Sequence, residues 1–302
     1  MSQDPLSHGM AQLQRKGIGL LFALFIGAVA AAAFAIRGCQ DGPFGRKQIV
    51  TLTPEQEVAL GIQAFKEVLR DPKTQEVRGG RNVQIVQEVT KRLADATEEP
   101  AFLKAVRLPK RQYAWETRLV ESKEVNAFCL PGGKMVVFTG ILPVCETDVG
   151  LAVVMGHELS HALGRHGAER MAHSQMAQIG IIAAGASAGS LGDAERRQLM
   201  MVLNAGARFG IMSYGRRHES EADHMGLLLM ATAGYNPGEA VKFWERMARA
   251  TGGGQRTPEF LSTHPSHETR IRDLVKWQPE AEVLYRASKF RGQKPERLQL
   301  GR

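Results

Sequence analysis

Residues 157–161 read His-Glu-Leu-Ser-His, and this pentapeptide limits the fold more than any other stretch of the 302-residue chain. Two histidines four apart reach one ion only if the segment between them is helical. Each helical residue turns about 100°, so His157 and His161 lie one turn apart on one face. Glu158 sits about a quarter-turn round, where its carboxylate misses an ion held by the histidines but reaches a water beside it. The apolar pattern around the pentapeptide predicts a long amphipathic helix from about Asp148 to His166. Two ligands do not hold a catalytic metal, so a third must come from elsewhere, and its position decides the architecture.

His166 is the nearest choice. The metzincin pattern H-E-x-x-H-x-x-G-x-x-H would need that histidine at position 167, where this chain has glycine. If the helix runs on, His166 is turned about 140° away from His161 and faces elsewhere, as a polar residue favourable to the helix dipole. The other choice lies in "RRHESEADHMG". Glu219 and Asp223 are spaced i, i+4, so on a helix both face one way. The run "MGLLLMA" buries that helix, and two buried carboxylates on one face are costly unless a cation compensates. Glu219 can be the third ligand, and Asp223 can accept the outer N–H of a metal histidine and hold its tautomer. His157, His161 and Glu219 form a donor set suited to one Zn2+ per chain.

The flanking sequence is read as α+β and mainly helical, with the histidine helix packed on a small antiparallel sheet. Thr53, Pro54 and Gln56 form a capping box that opens a helix through about Leu69. A second helix is expected from about Asn82 to Ala96, with Val83, Val86, Val89 and Leu93 inward. "VNAFCLPGGKMVVFTGIL" holds two short apolar runs about Pro131-Gly132-Gly133, which predicts a hairpin. Its second run, Lys134, Met135, Val136, Val137 and Phe138, is assigned as an edge strand that can take an extended substrate by strand addition. Residues 176–214 are expected to form two apolar helices joined near Ser190–Asp193, either packed on protein or touching lipid. Further helices are expected at about 217–233 and 237–251. Gly185-Ala186-Ser187-Ala188-Gly189 matches G-x-S-x-G but lacks the preceding strand that a nucleophile elbow needs.

Residues 17–36, GIGLLFALFIGAVAAAAFAI, carry no charge over twenty positions. They are read as a membrane anchor or uncleaved signal anchor, with a cleaved signal peptide as the alternative and lipidation at Cys39 as a third. Arg15 and Lys16 precede the segment and Arg37, Arg46 and Lys47 follow, so charge does not orient it. The division expected is therefore an anchor and linker over 1–46, a catalytic domain over 47–287 and a basic disordered tail over 288–302. The net charge of +8 comes from scattered Lys and Arg without interleaved aromatics, which argues against nucleic acid. Cys129 and Cys145 form no C-x-x-C pair and read as small buried hydrophobes, with a disulfide as the alternative. Oligomeric state is left open.

"HELSH" followed by "ESEAD" resembles the family-48 metallopeptidases, which include HtpX, the CaaX prenyl proteases and the Oma-type stress peptidases with their bacterial periplasmic relatives. "NAFCLPGGKMVVFTGIL", "EADHMGLLLMATAGYNP", "FWERM" and "FLSTHPSHETRI" are similar to the Oma-type branch in order and spacing. The resemblance covers about 52–285. It implies a gluzincin-type fold and a zinc endopeptidase acting on protein or peptide substrates in protein quality control, with the domain on the periplasmic or extracytoplasmic side. It implies that His157, His161 and Glu219 hold zinc, that Glu158 is the catalytic base and that Asp223 supports a zinc histidine. It also implies that His264 of "STHP" lies near the zinc, stabilising an oxyanion or occupying the water's place in a resting state. Gly215 stands where relatives often carry serine before the arginine, here Arg216. A chaperone-like module that binds unfolded proteins around a structural or latched zinc is the competing reading.

Overall fold

The computed structural model describes residues 25, 27–29, 31–72, 74–187, 193–252, 260, 264 and 269–299. The chain divides into two compact units. One comprises Asp41–Arg46, Leu52–Ala168 and Gly215–Arg302, and the other Met1–Gln40, Lys47–Thr51 and Glu169–Tyr214. In chain order the elements are β1 (Cys39–Asp41), β2 (Lys47–Ile49), α1 (Pro54–Arg70), β3 (Gln75–Glu76), α2 (Arg81–Ala96), α3 (Pro100–Val106), β4 (Glu116–Glu121), β5 (Ala127–Leu130), β6 (Lys134–Phe138), the short α4 (Leu142–Cys145), α5 (Asp148–Leu163), α6 (His166–Ser187), α7 (Asp193–Thr232), α8 (Gly238–Gly252) and α9 (Arg270–Ala287). The class is α+β and mainly helical, as the sequence implied.

Local signals account for several elements. The α1 capping box forms: the Gln56 N–H donates to Thr53 Oγ1 at 3.3 Å, and the Thr53 N–H donates to Gln56 Oε1 at 2.9 Å. On α2, Val86, Val89 and Leu93 are fully buried, on the face their spacing predicted, while Val83 is partly buried. The G-x-S-x-G serine, Ser187, is preceded by helix and not by the strand that a nucleophile elbow needs.

The sheet differs from the expected antiparallel one. Its order is β3-β4-β6-β5, with β4 and β6 parallel and the other two pairings antiparallel. The Pro131–Gly133 turn folds β5 back on β6, as expected, but β6 inserts between β4 and β5. Lys134–Phe138 is therefore an interior strand, hydrogen-bonded on both sides, and the assignment of it as the edge is corrected. Among the described residues the strands at the edges of the sheet are β3 and β5. The reason is visible in composition: Met135, Val136 and Val137 are all buried, so the run does not alternate, which is the mark of a strand covered on both faces.

Helix α5 carries the histidine pair and is the centre of its unit. Fourteen of its 16 residues are buried, so it is not the amphipathic helix expected but one enclosed all round. Helix α2, strand β5 and helix α8 pack about it. Helix α7 crosses it backbone to backbone. A Cβ on Gly226 would lie 2.9 Å from the His157 backbone nitrogen, and one on Gly156 would lie 3.2 Å from the Gly226 carbonyl oxygen. This close approach brings a carboxylate-bearing helix onto the histidine helix.

Two further expectations change. The helix expected at 217–233 is the last part of α7, which runs 40 residues. The tail from Ser288, expected to be disordered, docks on the start of α5. The Asp148 N–H donates to the Glu296 carbonyl at 2.9 Å, the Glu296 N–H to Asp148 Oδ1 at 2.8 Å and the Leu298 N–H to the Glu146 carbonyl at 3.0 Å. Helix N-termini need acceptors for their free N–H groups, and here main chain from the tail supplies one. Cys129 and Cys145 are both free, and Cys145 is buried. The join near Ser190–Asp193 falls mostly outside the described residues, as do 17–24 of the apolar N-terminal segment. Among the described residues no helix is long and apolar enough to cross a membrane.

The Gly156–Gly226 contact generates a test. Gly226→Ala places a methyl against main chain that has no rotamer to yield. It is expected to destabilise the fold by about 1–3 kcal/mol and to weaken metal retention by moving α7. Urea melts and a metal titration check both, and an unchanged midpoint would refute the close-packed crossing.

Candidate metal centre

Three places in the chain meet at one point. His157 and His161 project from α5, Glu219 from α7, and His264 from the segment before α9. Four donor atoms, one from each, lie within 4.8 Å of one another. His157 Nε2 is 3.1 Å from His161 Nε2, 3.3 Å from Glu219 Oε2 and 3.3 Å from His264 Nδ1. Glu219 Oε1 is 3.4 Å from His161 Nε2 and 3.0 Å from His264 Nδ1. A tetrahedral ion with bonds of about 2.0–2.1 Å spaces its ligands by about 3.3 Å, and these separations match it. The sequence-derived ligands are thus brought together, and His264 Nδ1 stands where a fourth ligand would.

The charge balance also fits a cation. Burial alone would lower the His157 pKa, but hydrogen bonds and attraction from Asp223 and Glu219 carry it up to about 10. The cluster therefore holds a positive charge on a ring that has almost no contact with water. Burial drives the neighbouring His161 the other way, well below its ordinary value. The Glu219 carboxyl, despite burial that raises it, is held well below the usual carboxylate range by His161, His157 and His264. A metal ion in place of the proton satisfies the same carboxylates.

Glu158 lies beside this point and outside the donor set. Its Oε2 accepts the Cys129 N–H of β5 at 3.3 Å, and its Oε1, buried and without a hydrogen-bond partner among the described residues, lies 3.4 Å from His264 Nε2. Burial pushes its pKa up, against the pull of His264 and His157. A buried carboxylate with one unpartnered oxygen facing the donor cluster can take a proton from a group placed there.

Asp223 sits where the i, i+4 spacing put it. Its Oδ1 is 2.9 Å from His157 Nδ1, the outer nitrogen. Arg270, absent from the sequence reading, donates from Nε to Asp223 Oδ2 at 2.6 Å and from Nη2 to Glu219 Oε2 at 3.1 Å. Its guanidinium carbon lies 3.8 Å above the Trp244 ring. Asp223 stays below its ordinary pKa because Arg270 and the His157 hydrogen bond outweigh burial. One signal could have revealed Arg270. It is the first residue of α9, where the helix dipole disfavours a cation, so a strong local anion had to be present.

His166 is the second residue misjudged. The helix does not run on: α5 ends at Leu163, and Arg165 takes a left-handed conformation (φ 57°) before α6 begins. The buried Arg165 side chain donates to Glu57 Oε1 at 2.8 Å and to the Leu52 carbonyl at 2.7 Å. The chain turns back there, and His166 Nδ1 comes to 2.9 Å from His161 Nδ1. His166 lies outside the donor cluster, but neither does it face away from the centre. Burial lowers its pKa to about 4, so the ring is neutral.

Comparison with known proteins agrees with this geometry. The model of peptidase family M48 matches residues 86–278, more than half of the chain and inclusive of every donor named above. Mitochondrial metalloendopeptidase OMA1 of Schizosaccharomyces pombe is 40% identical over 169 residues, which cover 56% of this chain and 48% of the relative. Metalloendopeptidase OMA1 of Danio rerio is 30% identical over 280 residues, covering 88% and 54%. The beta-barrel assembly-enhancing protease of Escherichia coli is 31% identical over 159 residues, covering 51% and 32%. The chain spans about half the length of the OMA1 relatives and about a third of the bacterial one. A buried two-histidine, one-glutamate cluster on crossing helices, within a match of this extent, places the chain in peptidase family M48.

Proposed function

We propose that this chain is a zinc-dependent endopeptidase of gluzincin type that cleaves unfolded or flexible protein segments. The observation that carries the reading is the His157–His161–Glu219 triangle with Glu158 buried beside it. When bound, zinc supplies Lewis acidity that polarises the scissile carbonyl and acidifies water. Glu158 takes the proton of the attacking water and passes it to the leaving amine. Asp223 holds His157 with Nε2 facing inward, and Arg270 neutralises the carboxylate that does so. Strand β5 ends the sheet among the described residues and lies beside Glu158, so an extended substrate is expected to add there rather than along Lys134–Phe138. Main-chain pairing favours flexible segments and a modest sequence preference.

His264 gives the competing reading its one support. With Nδ1 at the fourth corner, it can latch the zinc in a resting protein and make the domain a binder of unfolded chains. Casein with and without chelator separates the two. Zinc-dependent fragments are expected; Glu158→Gln keeps zinc and reduces cleavage by at least about 10³-fold, and Glu219→Ala loses zinc. Chelator-insensitive holding of casein without fragments would favour the binder.

Zinc uptake carries a pH signature. In the metal-free protein His157 is protonated up to about pH 10, and as a ligand it must be neutral. Each zinc therefore displaces one proton between pH 7 and the His157 pKa, and apparent affinity rises with pH over that window. Calorimetry at pH 8 in buffers of different ionisation enthalpy reads the release directly. Zero protons released would refute the assignment of His157.

The twenty uncharged residues over 17–36 support a membrane anchor with the peptidase domain extracytoplasmic, serving protein quality control. The bacterial relative's name as a beta-barrel assembly-enhancing protease favours that compartment. Full-length protein is expected to stay with membranes through alkaline carbonate and to be cut by added protease only from the outer side. Release by carbonate would count against the anchor.

A further inference from the structure

The two candidate zinc histidines are braced differently. His157 gives its outer nitrogen directly to a carboxylate, Asp223, which Arg270 neutralises. His161 gives its outer nitrogen to another histidine. His166 Nδ1 lies 2.9 Å from His161 Nδ1, and His166 Nε2 lies 3.0 Å from Glu221 Oε2. Arg46 closes this line, donating from Nε to Glu221 Oε1 at 3.2 Å and from Nη2 to Oε2 at 2.8 Å. The His166 ring stacks on His218 with centroids 4.4 Å apart and planes 11° from parallel.

We propose that His166, set by Glu221 and Arg46, is a positioning residue that holds His161 with Nδ1 protonated and Nε2 free to bind the metal. Proton counting leads there. Glu221, neutralised by Arg46, is an acceptor, so His166 Nε2 must carry a hydrogen and donate it. The two Nδ1 atoms are 2.9 Å apart, so one donates and the other accepts; with the hydrogen of His166 on Nε2, its Nδ1 lone pair accepts the Nδ1–H of His161. His161 is left with its lone pair on Nε2, the atom in the donor cluster. The opposite arrangement would set two lone pairs face to face at Glu221 and place an N–H where the ion binds.

Two features of the chain serve this geometry. Gly164 is helical in backbone, yet a Cβ there would lie 2.4 Å from His166 Nε2, so only glycine leaves the ring its place. The left-handed Arg165, held by Glu57 and the Leu52 carbonyl, turns the chain so that a residue five beyond His161 meets its outer nitrogen.

The inference rests on the zinc reading above, and the test separates the two. Zinc affinity of the full chain is measured by chelator competition, with circular dichroism for fold and 15N shifts of the histidine rings for tautomer. Glu221→Gln removes no volume but lets His166 accept at Nε2 and reverse. It is expected to weaken zinc roughly 10-fold, and to populate the Nε2–H form of His161 in metal-free protein. His166→Ala and Gly164→Ala are expected to lose roughly 10- to 100-fold, and His166→Asn, whose carboxamide oxygen can take the place of Nδ1, to recover most of it. If His166→Ala does not fold, Glu221→Gln decides alone. Should Glu221→Gln bind within about twofold of the parent with the His161 tautomer unchanged, the proposal is overturned while the zinc centre stands. Should the parent bind no zinc, or His161→Ala bind it equally, the zinc reading fails and this inference with it.

Discussion

Charge buried at the crossing of two helices must be neutralised where it lies, and the rest of the candidate site answers to that requirement. His157, Glu158, Glu219, Asp223 and Arg270 are all nearly out of contact with water. An isolated ion in such a place costs many kcal/mol, so all but Glu158 have a partner of opposite sign or share the donor cluster, and burial raises the pKa of Glu158 instead. Arg270 spans two carboxylates, Asp223 spans an arginine and a histidine, and Glu219 faces three rings. The surplus of negative charge at the centre is what a divalent cation fits. The protonated state of His157 in the metal-free chain follows from the same imbalance.

Placing these groups depends on backbone rather than on side-chain choice. Gly156 and Gly226 let α5 and α7 approach closely, and any side chain at Gly226 would strike the His157 backbone. The histidine pair sits on one helix and its third partner on the other, so the donor separations depend on that contact. The docked tail and the sheet hold α5 from other sides. Strand β5, fastened to Glu158 through Cys129, gives that carboxylate a fixed place beside the donor cluster. The helix that carries the chemistry is thus the most enclosed element of its unit, and the site lies where a mobile helix would ruin the geometry.

Much of this was legible in one dimension because periodicity and pairing rules act locally. The His157–His161 and Glu219–Asp223 spacings each specified a shared helical face, and the apolar run after Asp223 required a compensating cation. The Thr53–Gln56 capping box and the hairpin at Pro131–Gly133 were equally plain. The failures had nonlocal causes. Lys134–Phe138 was assigned to an edge because a hairpin was visible but the parallel partner β4 was not. That partner arrives from earlier in the chain and takes the other side of β6. The tail looked disordered because its main-chain bonds, not its side chains, tie it to α5.

By itself the sequence determined which residue types could meet a metal and which helical faces carried them, since those depend only on 3.6-residue periodicity. It could not place His166. Extrapolating one helix pointed that ring away, whereas a left-handed Arg165, held by Glu57 more than a hundred positions earlier, brings it back onto His161. It could not pair Arg270 with Asp223 and Glu219 either. A lone arginine at a helix start has no partner in sequence, and only the packing of α9 against α7 supplies one. The tertiary structure decided these matters because burial and charge pairing are relations between segments distant along the chain. Local patterns constrain each segment, but they do not say which distant segment will neutralise it.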